Sequence, residues 1–363
     1  MKLQPLYLAL VLSTLVIASC TNIGPKTVPR DRFDYNTAIS NSWKEQTLLN
    51  IVKIRYADMP LFIDVGSIVS GYTLEGSVQL GGSFSSSDSV QGDIFNLGGS
   101  GKYTDRPTIT YTPITGQQFN RSFMTPIPPR AILFLLQTGW PVDMIFPLTV
   151  DAINGLRAEV AMGIQQRSGD AKYYRVVDSL RKIQVSGAVG MQIKKAAEDS
   201  KQDDIVMFIQ PDSISPEIRD EMVELRKLLG LKSEAWEISM RYGLIPRTDT
   251  EMAILTRSML QIMITLAQQV DVPAEHVAEG RTIGAAASSG PESGEPRARV
   301  INIHHGTERP RDAFTAVKYR DLWFWIDDRD FKSKRTFAFL MILFSVMETG
   351  SGEGAPVITI PTN

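Results

Sequence analysis

Cysteine is almost missing: Cys20 is the one thiol in 363 residues. A single thiol excludes an internal disulfide, and beyond Cys20 it leaves no thiolate for a metal site or a nucleophile. Histidine is nearly as scarce, with His276, His304 and His305. Adjacent histidines on a strand point to opposite faces, which suits two ligands of one metal poorly, so surface or capping roles are expected for all three. Net charge is also lacking: the formal value of -2 excludes a global pull toward nucleic acid. No apolar run reaches the roughly twenty residues of a spanning helix. Walker, nucleophile-elbow and zincin sequences are absent as well, and no cofactor is implied. What is present is 43% hydrophobic and 21% charged residues, the balance of a chain that folds around a core.

The start of the chain is the most specific stretch. Lys2 precedes an apolar run from Leu6 to Ile17, then Ala18, Ser19 and Cys20. A short positive start and about a dozen apolar residues have the layout of a secretory signal. Ile17, Ala18, Ser19 and Cys20 resemble the lipobox of bacterial lipoproteins. The resemblance implies a signal peptide over 1–19, acylation at Cys20 and anchorage in a bilayer through several acyl chains. Thr21, rather than aspartate, follows the cysteine, which in this family implies the outer membrane, on its periplasmic side. Residues 20–33, with Gly24, Pro25 and Pro29, are expected to form a tether.

The mature chain divides by pattern into an N-terminal helix and hairpin region, 34–165, and a larger C-terminal region, 166–363. Asp34 is expected to cap a helix ending before Pro60. Tyr72, Leu74, Val78, Leu80 and Phe84 then fall on one parity and Thr73, Glu75, Ser77, Gln79 and Ser83 on the other. After a serine-rich loop, Phe95, Leu97, Tyr103, Ile109 and Tyr111 continue the alternation. Two amphipathic strands make a hairpin, each long enough to cross a bilayer. The expected reading is a soluble hairpin laid over the protein's own helices, or an edge shielded by Glu75 and Lys102; crossing a bilayer is the alternative, and it needs several subunits that each give a hairpin to one closed barrel.

Further on, helices are expected over 130–138, 148–157, 173–183 and 215–229, and over 252–270 behind a capping box of Thr248 and Glu251. Strands are expected at 191–195 with 205–210, at 236–242, at 300–303, 314–319 and 322–326, and at 357–360. Residues 284–297, rich in alanine, serine, glycine and proline, read as a disordered loop. A helix over 331–347 should pack on the last sheet.

The densest charge cluster is Asp327, Asp328, Asp330, Lys332, Lys334 and Arg335, with Arg329 among them. It reads as acids favouring a helix N-terminus and bases pairing with them, or as a charged partner site; a cation site is the sharper alternative. The fold class is therefore α+β, a long N-terminal hairpin followed by a larger region with a short antiparallel sheet. The function expected is that of a non-enzymatic, lipid-anchored structural or assembly component of the cell envelope, with a protein partner or a homo-oligomer. A subunit of an oligomeric outer-membrane pore is the first alternative, and a periplasmic metal-dependent enzyme the second.

Overall fold

A computed structural model describes residues 24–69, 71–83, 94–162, 165–187, 189–194, 204–209, 215–234, 237–284 and 299–347. The fold is α+β. The chain forms two compact units, one built from Ile63–Pro113 with the chain up to Ser42, the other from Trp43–Phe62 with the chain from Ile114. The hairpin is thus an insertion in the larger unit's sequence. The division expected at 165/166 is not there, because residues on both sides of it pair in one sheet.

In the first unit, helix α1 (Gly24–Arg55) supplies its N-terminal half. Strands β1 (Ile63–Val69), β2 (Tyr72–Ser83), β3 (Ile94–Asp105) and β4 (Thr108–Pro113) form two nested antiparallel pairs. The pair β2–β3 runs in unbroken register from Tyr72↔Asp105 to Ser83↔Ile94. The pair β1–β4 continues below it, with a bulge between Val65 and Ser67. The N–H of Arg106 donates to Gly71 O between the two.

The larger unit begins at the C-terminal half of α1, where Leu48, Ile51 and Val52 are wholly buried. Its loop ends are fixed locally: the Asn50 side chain both donates to Leu61 O and accepts from Leu61 N–H, and Ile114 N–H donates to Phe62 O. After α2 (Gly116–Phe119) and a π-helical turn come α3 (Pro129–Gln137) and α4 (Val142–Thr149), both started by prolines suited to a first helical turn. Then follow β5 (Val150–Ile153), β6 (Leu156–Arg157), β7 (Val160–Met162), β8 (Gln165–Arg167), α5 (Ala171–Ser186), β9 (Val189–Lys194), β10 (Asp204–Ile209), α6 (Pro216–Leu229), β11 (Glu237–Tyr242) and β12 (Glu251–Thr256). A six-stranded sheet orders them β6-β5-β12-β11-β10-β9, with β11 and β12 parallel. The chain continues through α7 (Met259–Ala267), α8 (Ala274–Ala278), β13 (His304–Gly306), β14 (Ala313–Tyr319), β15 (Leu322–Asp327) and α9 (Phe331–Met347). The order β13-β15-β14 makes a small antiparallel sheet, against which α9 packs.

Several expectations change. Ile109 and Tyr111, expected to continue the hairpin's second strand, lie on β4 and pair with β1, because β3 ends at Asp105. The third strand of the small sheet is 304–306, not 300–303. Residues 24–32, expected as a tether, are helical, with Pro29 inside α1. The helix expected over 148–157 is absent beyond Thr149, the end of α4, because Asn154 (φ 46°) and Gly155 (φ 83°) form the tight turn of the β5–β6 hairpin. Residues 251–256 are the central strand β12, buried on both faces, so its unbroken apolar run resembles a helix core. The helix starts later, at a capping box of Ser258 and Gln261. By contrast, α6 keeps its expected bounds, with the Ser215 hydroxyl accepting from Ile218 N–H and Gly230 at φ 67° closing it. The 284–297 loop, apart from Gly284, and the 357–360 strand lie outside the described residues.

Asn154 ties that hairpin to the sheet: its amide donates to Leu229 O at 2.8 Å and accepts from Ala253 N–H at 2.7 Å. Replacing Asn154 by alanine should lower unfolding stability by about 2–4 kcal/mol, through the lost bonds and the positive φ. Asn154→Gly keeps the turn conformation and should cost less; equal losses in denaturant titrations would assign the whole effect to the hydrogen bonds.

Candidate functional site

The β2–β3 register puts Tyr72, Leu74, Val78 and Leu80 on one face with Tyr103 and Leu97, and Phe95 opposite Gly82. Gly76, Gly99 and Gly101 fill positions between them. The opposite face is polar and cross-linked: the Ser77 and Ser100 hydroxyls are 2.7 Å apart and Lys102 lies 3.8 Å from Glu75. On the apolar face Leu74 is 60% exposed, Val78 73% and Tyr103 51%. Within the hairpin's own unit, the Leu74 and Val78 side chains are covered by no described residue. Phe84 and Cys20 lie outside the described residues, and so do the surroundings of the Leu80, Phe95 and Leu97 side chains.

The base of this face meets α1. Tyr72 OH donates to Asp31 Oδ2, Arg30 pairs with Asp31, and the Tyr72 and Tyr103 rings stack with centroids 6.3 Å apart. The bond from Tyr72 holds the Asp31 carboxyl below its usual range, while partial desolvation opposes it. Nothing in the sequence pattern signalled Arg30 and Asp31, since they lie in the stretch expected to be a tether.

The charged cluster separates into individual contacts. Asp330 is the N-cap of α9: its carboxylate accepts from Ser333 N–H at 3.0 Å, Ser333 OH at 2.6 Å and the Asn302 amide at 2.8 Å. Burial pushes its pKa up, but these donors outweigh burial and hold it below the usual value. Lys334 pairs with Asp328 at 2.6 Å and lies over the Phe314 ring. Lys332 donates to Arg299 O, Asp327 accepts from Arg329 N–H, and Arg335 lies over Phe331. Among the described residues no group of three or more acidic or histidine side chains could hold a metal ion.

The three histidines lie in the larger unit. His304 and His305 stand opposite Trp325 and Phe324 on β15, in contact with those rings. His276, contrary to expectation, is buried, with Nδ1 2.8 Å from Tyr56 OH. Nearby Arg55 is 4% exposed; Nη1 donates to Gln268, and among the described residues Nε and Nη2 have no hydrogen-bond partner. A cavity of about 670 Å³ lies among α3, α4, α5 and the sheet, lined mainly by leucine, methionine and phenylalanine. Arg181 is its one titratable lining residue, so it presents no acid–base pair. No helix among the described residues is long and apolar enough to cross a membrane.

No family model, curated protein or solved structure matches the chain. The reading of the site therefore rests on its geometry.

Two outcomes are expected. Asp330→Ala should destabilise the larger unit by about 1–2 kcal/mol, the usual worth of an N-cap. Because the folded carboxyl is held below its unfolded pKa near 4, that contribution is complete above about pH 4 and is lost as pH falls through the depressed value. A variant deficit that grows as pH falls below 4 would contradict this. Tyr72→Phe should speed hydrogen exchange of the amides in 24–42 and leave those of β12 unchanged.

Proposed function

We propose that the protein is a lipid-anchored component of the bacterial cell envelope, held by acylated Cys20 at the outer membrane, facing the periplasm. Its role is assembly, not catalysis. The body is the scaffold, and the β2–β3 hairpin is the element presented to a partner.

The observation that carries this reading is the hairpin itself. Its apolar face is exposed, and each of its two strands has one outer edge on which no further strand is described. An exposed strand edge offers a row of backbone donors and acceptors to another strand. Proteins that do not use such an edge shorten it, bend it or cover it; β2 and β3 run twelve residues each without a break in register. The polar groups elsewhere support the same reading, since the charged cluster is engaged in capping and ion pairs.

Fractionation of the envelope tests the tether and cross-linking tests the assembly. The native chain should sediment with outer membranes, while Cys20→Ser should be released by at least tenfold from that fraction. A photo-cross-linking residue at Gln79 or Asn96 should trap a second protein chain in intact cells. Membrane retention of the Cys20→Ser precursor would count against the lipid tether only if its signal peptide had been removed. Absence of any adduct from either position would overturn the assembly role.

A further inference from the structure

The hairpin's edges and its apolar face need different occupants, and α1 says where the second one is. We propose that copies of this chain donate their β2–β3 hairpins to one closed transmembrane β-barrel, with Leu74 and Val78 toward lipid and Glu75, Ser77, Gln79 and Lys102 toward the lumen. This rests on the envelope assembly reading and names its partner: a second copy at each edge.

Length comes first. Twelve residues at about 3.4 Å each make a strand roughly 40 Å long, which at a tilt near 40° rises about 30 Å. The apolar band of an outer-membrane barrel is about 25 Å tall. The β2–β3 pair alone therefore suffices, without β1 or β4. Composition is next: along the apolar face charge is confined to Asp105, opposite Tyr72 at the base, whereas Glu75 and Lys102 face each other across the polar side. An antiparallel ribbon has one face for lipid and one for water only if its charges are sorted in this way.

The contact with α1 supplies an independent observation. Cys20 precedes Gly24 by four residues, a reach of at most about 14 Å. From Gly24 to Asp31 the helix adds about 10 Å. Asp31 is hydrogen-bonded to Tyr72, and Arg30 pairs with Asp31, at the base of the apolar face. The Cys20 backbone is therefore held within about 25 Å of Asp31, the residue bonded to Tyr72. Tyrosines collect at the level of lipid headgroups, with rings in the apolar layer and hydroxyls in the polar one. Asp31, binding the Tyr72 hydroxyl, and Arg30 paired with it mark the wet side. Leu74, Val78 and the rest of the hairpin continue from that boundary into the hydrocarbon.

Closure sets the stoichiometry. One hairpin in lipid leaves two rows of backbone groups unpaired, and such edges do not persist in a bilayer. Each copy brings two antiparallel strands, so the total is even for any number of copies. About eight strands is the smallest barrel, which requires at least four copies.

The test uses the full-length, lipidated chain in vesicles of phosphatidylethanolamine and phosphatidylglycerol. Cys20 is the one native cysteine and is blocked by acylation, so single cysteines at 74, 77, 78 and 79 each take one environment-sensitive dye. The expected result alternates: blue-shifted emission at 74 and 78, quenched by lipid-borne quenchers, and water-exposed emission at 77 and 79. Val78→Lys should cut vesicle permeability by about thirtyfold or more, with the thermal transition of the larger unit unchanged. Gln79→Lys should keep permeability and shift it toward anions. Dyes wet at all four positions, or dry at all four, overturn the barrel. If they do so while the Gln79 adduct persists with a different protein, the assembly role stands and only the barrel fails.

Discussion

Two antiparallel strands satisfy only half of their backbone groups between themselves. Every other N–H and C=O of β2 and β3 points outward, and no other strand among the described residues meets it. In water such an edge is tolerable, since solvent bonds to it. In hydrocarbon it is not, and each unpaired group costs several kcal/mol. That constraint links the features of the first unit. The sorting of side chains by parity suits a boundary between lipid and water, and the open edges suit identical neighbours. The bond from Tyr72 to Asp31 ties the N-terminal half of α1 to the base of the same face.

The larger unit is held by a different set of interactions. Its core fastens backbone with buried polar side chains as well as apolar contacts. Arg257, almost wholly buried, donates to Pro147 O and Glu159 O and lies 3.7 Å from Asp151. Tyr173, fully buried, donates to Phe146 O and Val150 O, locking the turn from α4 into β5. Bonds of this kind, satisfied on all sides, favour one arrangement over its competitors. Phe62, Phe123 and Phe344 close the core beside the hairpin's point of insertion, with Phe62 and Phe123 centroids 4.1 Å apart.

Much of this was legible in the chain. Local rules found α6, because Ser215, Pro216 and Gly230 are signals that act within one turn. Alternation found the hairpin, because a two-residue period has no helical counterpart. The strand β12 was missed since a strand buried on both faces loses its period, and Thr248 with Glu251 then imitated a helix start. The β5–β6 turn was written in Asn154–Gly155, but Leu148 to Ile153 drew attention to a helix instead. The candidate site was half legible. Parity marked Tyr72, Leu74, Val78 and Tyr103, whereas Asp31 could not be paired with Tyr72, because some forty residues separate the partners and no local pattern spans that distance.

The most direct measurement of the central claim is the native mass of the chain without its signal peptide and with Cys20→Ser, purified with and without detergent. If the hairpins close a barrel, the lipid-free chain still requires detergent and runs as one uniform ring of four or more copies. A stable monomer that stays in solution without detergent, with Leu74 and Val78 open to water, would contradict it.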